Sequence, residues 1–151
     1  MQMGHDRIGI WVEGKNSDHL GYVKAHVEAG FRVDPGYILE TKSPEGAAEH
    51  LAGLSEPPTA LVVAKRLDQS VGLMQALRGR GIQPGRDLYL CSYDHSMNNT
   101  PNPDGAPSAR IERPVERIAS EAARVLGARV EGVQTGPTHT LLPSTLVADA
   151  P

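Results

Sequence analysis

Cysteine, tryptophan and phenylalanine each occur only once in these 151 residues. A single cysteine excludes an intrachain disulfide framework, and Cys91, lying inside an apolar run, reads as a buried, inert thiol. Long apolar stretches are missing too. None approaches the ~20 residues of a membrane span, and the N-terminus leads straight into a strand without a secretion signal, so a cytoplasmic protein is expected. Net positive charge is also lacking. A formal charge of −3 offers no field to a phosphate backbone, so any nucleic-acid contact has to come from elsewhere. The six histidines show no metal-ligand spacing beyond the loose pair His19 and His26, and neither a metal nor a cofactor is expected.

Catalytic signatures are equally scarce. Gly79-Arg80-Gly81 falls at a helix end rather than in a strand-to-helix turn, and neither a G-x-S-x-G nor a P-loop is present. A phospho-acceptor receiver domain needs clustered acids after its first strand, where only Glu13 stands. No enzyme is expected.

What the chain does contain is an alternation of short apolar runs and helical stripes. A chain of this length supports one domain with a real core. Arg7–Val12 reads as a first strand, followed by Asn16 or Ser17 as cap of a helix reaching about Ala29, with Leu20, Val23 and Val27 as its core stripe and Gly30 as its stop. Tyr37–Glu40 makes a second strand. Ser43-Pro44-Glu45 then opens a second helix with hydroxyl cap, proline and acid in order, ending near Leu54. Ala60–Ala64 is a third, buried strand, and Asp68 is placed to cap a helix lined by Val71, Met74, Leu77 and Leu73. The run from Asp87 to His95 is a fourth buried strand. After the proline-broken connection 100–107 come a strand from Ala109 to Arg113, a helix from Val115 to Glu131 with Ile118, Ala122, Val125 and Val130 on one face, and two strand-like pieces, Thr138–Leu142 and Thr145–Val147.

This order implies an α/β fold: a doubly wound, mostly parallel sheet. Ligands of such sheets collect outside the carboxyl ends of the strands. Tyr93 and Asp94 stand at the end of the fourth strand, Lys65 and Arg66 at the end of the third, and Trp11 near the end of the first. Trp11 is the only indole available to stack on a ligand ring, with a core role as the alternative. Lys65 and Arg66 read equally as solvated loop charges.

Several features together resemble a known family. They are Gly21-Tyr22, Gly30 with Val33-Asp34, Ser43-Pro44-Glu45-Gly46, Pro57-Pro58-Thr59-Ala60, Gly72 with Ala76-Leu77-Arg78, Leu90 to Asp94, Arg113-Pro114, and Leu141-Leu142-Pro143 with Leu146-Val147. In this order they resemble the effector-binding region of LacI/GalR-type transcription regulators, which share the type I periplasmic binding protein-like fold. The resemblance implies a three-layer C-terminal subdomain of the ligand-binding and dimerisation domain, in which 109–132 crosses to an N-terminal subdomain not present in this chain. It implies a small-molecule effector, a homodimer, and DNA contact only through a headpiece outside these residues. Asp94 matches an aspartate that accepts hydrogen bonds from ligand hydroxyls. Asp18 stands where many members carry a ligand-gripping arginine, Arg66-Leu67 replaces a frequent Asn-Asp pair, and an aromatic residue before Ser43 is lacking. The resemblance therefore implies either an anionic effector held by Lys65 and Arg66 or a pocket that no longer binds. Alternatives are part of a transporter's sugar-binding protein, or a stand-alone association domain. The apolar face of the helix after Val115 needs a cover, from its own subdomain or a second chain.

Overall fold

The parallel pairing of the first and third strands builds the centre of the molecule. The structure is a computed structural model that describes residues 4–65, 67–94, 108–133, 136 and 139–148, without the side chains of Leu67, Asp68, Tyr93, Asp94 and Ser108. The proline-rich connection 100–107 lies outside the described residues. Strands β1 (Ile8–Trp11), β2 (Ile38–Leu39), β3 (Ala60–Val63), β4 (Tyr89–Asp94), β5 (Ser108–Glu112) and β6 (Thr145–Ala148) form one sheet in the order β2-β1-β3-β4-β5-β6. All neighbours are parallel except β6, which runs antiparallel to β5.

Helices α1 (Ser17–Glu28), α2 (Pro44–Gly53) and α3 (Leu67–Arg78) connect the first four strands. Alternation along each strand sorts the side chains onto two faces. Trp11, Leu61, Val63 and Leu90 pack with Ala47, Ala48 and Leu51 of α2 and Leu73, Met74 and Leu77 of α3. Ile10, Val12, Val62 and Ala64 face the other way, against Tyr22 and Val23 of α1. The doubly wound, mostly parallel sheet is therefore observed, with α1 on one face and α2 and α3 on the other.

Local chemistry sets the helix starts as expected. The Asn16 side chain accepts hydrogen bonds from the Asp18 and His19 amides, both at 3.1 Å, and Ser43 Oγ accepts one from the Gly46 amide. Gly30 takes φ +74°, the left-handed position that ends α1. Helix α3 begins at Leu67, so Asp68 lies inside its first turn rather than in the capping position.

Two expectations need correction. Leu20 and Val27 are 65% and 68% exposed; α1 instead buries Tyr22 and His26. These two tolerate burial because backbone carbonyls take their polar tips: Tyr22 Oη donates to Ile8 O at 2.7 Å, and His26 Nδ1 lies 3.0 Å from Tyr22 O. The second concerns the C-terminal end, where residues 139–144 have no regular structure and only Thr145–Ala148 joins the sheet, Pro143 having no amide to donate to a ladder. A short 3-10 turn at Pro35–Tyr37, closed by the Gly36 amide on Asp34 Oδ1, was not anticipated.

Helix α4 (Val115–Val130) has no fully buried residue, only half-buried ones such as Val125 and Ala128. Val115, Ile118, Leu126 and Val130 stand exposed, continued by Val133, Leu141 and Leu146.

Two measurements check the packing. A Cβ on Gly72 would lie 2.9 Å from Pro44 Cγ, so Gly72→Val wedges α2 from α3 and is expected to cost roughly 1–3 kcal/mol in chemical denaturation. Tyr22 is held protonated by burial, helped by the negative field of Asp34 and by Tyr37, and its pKa is pushed up from 10.0 to about 12. The folded state then keeps a proton that the unfolded chain loses, so stability is full below pH 10 and falls as pH rises towards about 12. Tyr22→Phe is expected to lose about 1 kcal/mol at neutral pH with its hydrogen bond, while abolishing Tyr22's share of that alkaline loss.

Candidate functional site

Strand order β2-β1-β3-β4 reverses direction between β1 and β3. The chain leaves β1 on one side to make β2 and returns across it to make β3, and the crevice at such a switch point is where doubly wound sheets hold ligands. The register pairs Trp11 with Val63. Two residues further along each strand direction stand Glu13 and Lys65, and alternation places both on the side of the sheet that faces α2 and α3.

Trp11 is completely enclosed, and its Nε1 donates to Thr41 O at 2.8 Å. That bond ties the end of β1 to the turn leading into α2. The indole is thus walled in by protein, and what lies over its ring is Lys65 Nζ, 5.4 Å from the centroid. The Lys65 side chain is 3% exposed, and its ammonium makes no hydrogen bond. Among the described residues its ion pair is with Glu13 Oε1 at 3.6 Å, beyond hydrogen-bond reach, and Glu13 is 78% exposed.

Desolvating an ammonium is costly unless it is paired and hydrogen-bonded. A cation–π contact returns only about 0.5–2 kcal/mol, and an exposed carboxylate at this separation adds little. Lys65 is therefore an under-compensated buried cation.

Asp18 is half-buried in the first turn of α1 and accepts a long hydrogen bond, 3.4 Å, from Asn16 Nδ2. Beside it in sequence, His19 carries a buried Nδ1 with no partner. The loop after β1 and the first turn of α1 thus set polar groups along the carboxyl edge. Tyr93 and Asp94 end β4, their backbones in register with Ile111 and Glu112 of β5. Their side chains, and all of Arg66, lie outside the described residues. Among the sequence candidates the structure brings together Trp11 and Lys65. It adds Glu13 and Thr41, which sequence reading missed. The signal for Glu13 is available only once β1 and β3 are known to be paired, because their register alone sets residues 13 and 65 side by side.

Cys91 is half-buried, and burial pushes its thiol pKa up, which keeps it protonated and a poor nucleophile. Among the described residues no three His, Cys, Asp or Glu side chains gather as metal ligands, and no helix is long and apolar enough to cross a membrane.

A doubly wound, mostly parallel sheet with polar groups at a β1/β3 switch point defines the class as an open α/β subdomain, a fold whose ligands generally sit at the carboxyl ends of its strands. The sequence profile of the periplasmic binding protein-like domain matches residues 1–148, and the chain belongs to that family. It resembles a solved structure described as a ribose operon repressor from Burkholderia thailandensis, with 28% identity and a TM-score of 0.75 over 97% of this chain and 55% of that one. A LacI transcriptional regulator from Bacillus cereus subsp. cytotoxis is similar at 27% identity and a TM-score of 0.74, over 96% of this chain and 54% of that one. The chain spans about half the length of these relatives. Among curated protein sequences none matches at a significant level.

Proposed function

We propose that the chain is the C-terminal half of the effector-binding and dimerisation domain of a LacI-type transcriptional regulator, with the effector received at the carboxyl edge of the sheet. The observation that carries this reading is the under-paired Lys65 beside Trp11 at the switch point. Structures within buried interiors rarely leave a cation so poorly compensated without a use for it. In this reading Asp94, whose backbone ends the neighbouring β4, is assigned as the acceptor for ligand hydroxyls, and Tyr93, Arg66 and Asp18 are the further contacts that the sequence suggests.

The uncovered face of α4 supports the other part of the reading. A helix with Ile118, Leu126 and Val130 exposed forfeits roughly 1.5–3 kcal/mol per large apolar side chain that a partner surface would recover. A second subdomain, of the length by which the relatives exceed this chain, is the cover we assign to it, together with a homodimer. DNA is read by a separate headpiece. Effector binding then works by preferring one arrangement of the two subdomains over the other, and through it one spacing of the DNA-reading elements.

The test is a thermal-shift screen of the intact protein against sugars, sugar phosphates and nucleosides. A compound that raises the melting temperature is expected to change operator affinity by about 5–150-fold, the usual range of allosteric coupling. Asp94→Ala is expected to remove the shift; a hit that stabilises the variant as well as the parent overturns the placement of the site.

A further inference from the structure

The ammonium of Lys65 lies over the Trp11 ring and pairs with a carboxylate that is itself mostly in water. Glu13 stands on the loop directly before Gly14, whose φ of +66° is a conformation glycine adopts without strain, and it reaches Lys65 at 3.6 Å rather than at the 2.7–2.9 Å of a charge-assisted hydrogen bond. A carboxylate held for structural pairing alone would be expected to close that gap. We propose that Lys65 is an anchor for an anionic group of the effector, a phosphate or a carboxylate, and that Glu13 is a resident counter-ion displaced when that group arrives.

The inference rests on the reading of the carboxyl edge as the effector side and narrows it to a charged ligand. The hydroxyl oxygens of a neutral sugar could accept hydrogen bonds from the ammonium but would bring no charge to balance it. An anion would supply the missing hydrogen bonds from oxygen atoms in place of the displaced carboxylate. Trp11 has its own role here. Its indole fixes the lysine stem in position through the cation–π contact, while its N–H is engaged by Thr41 O, so the anchor is set before any ligand enters.

Trp11 is the only tryptophan of the chain, and a charge over its ring makes its emission a direct reporter. The experiment titrates the full chain, Lys65→Met and Glu13→Gln with inorganic phosphate, a hexose and that hexose's phosphate ester at matched ionic strength. Melting curves on each variant establish that it folds. Lys65→Met is expected to melt at or above the parent's temperature, since a buried charge is replaced by an apolar chain of similar shape, and to lose the fluorescence response to phosphate. Glu13→Gln is expected to bind phosphate and the phosphate ester about tenfold more tightly, because a competing like charge is gone. Three results overturn the proposal: an unchanged phosphate response in Lys65→Met, no gain in Glu13→Gln, or no response to phosphate in the parent. Binding of the hexose with indifference to its phosphate group would defeat the anion anchor yet leave the effector edge standing. If none of the small molecules in the broader screen of the intact protein binds, the effector reading itself falls.

Discussion

The parallel pairing of β1 with β3 is the constraint on which the rest depends. With Ile8 opposite Ala60 and Trp11 opposite Val63, each strand sends alternate residues to opposite faces. Trp11, Leu61 and Val63 go to the α2 and α3 layer, while Ile10 and Val62 go to the α1 layer. A slip of one residue would turn every one of these over. The same register carries past the strand ends and brings Glu13 to Lys65. One pairing thus sets both the hydrophobic core and the polar groups at its edge, and the indole that lies under the lysine is also a central core residue.

The molecule divides energetically into two parts. Residues up to β4 hold the core, with Leu39, Leu51, Leu61, Leu73 and Leu77 sealed between sheet and helices. Beyond β5 the balance changes. Helix α4 is held at its start by Arg113-Pro114 after β5 and turns an apolar face outward, and β6 joins the sheet only by an antiparallel edge pairing to β5. An exposed apolar face of this kind marks an interaction surface. In the proposed regulator, the crevice and α4 would be the two places where the subdomains meet, and a ligand bridging them would act on both.

Much of the fold was legible because its signals are local. The Asn16 and Ser43 caps, Gly30 as a helix stop, and the apolar runs of β1, β3 and β4 each depend on a few neighbouring residues, and each appears where expected. The stripe of α1 was misread because hydropathy ranks Leu20 and Val27 above Tyr22 and His26, whereas the sheet accepts the latter pair through hydrogen bonds to Ile8 O and Tyr22 O. The terminal piece 139–142 was misread as a strand for a related reason: alternating Thr and Leu suits a strand, but a strand also needs an edge to pair with, and β5 is taken by Thr145–Ala148.

By itself, then, the sequence determined the class of fold, the order of its elements and the strand tips at which a ligand would be sought. Helix caps, period-two runs and glycine stops are short-range facts of the chain, and they sufficed for that. Only the tertiary structure decided that Trp11 is core rather than an open stacking platform, that Lys65 is buried rather than solvated, and that Glu13 is its counter-ion. Those outcomes turn on which strand lies beside which, and residues 13 and 65 are neighbours solely because two segments far apart in sequence share one ladder of hydrogen bonds.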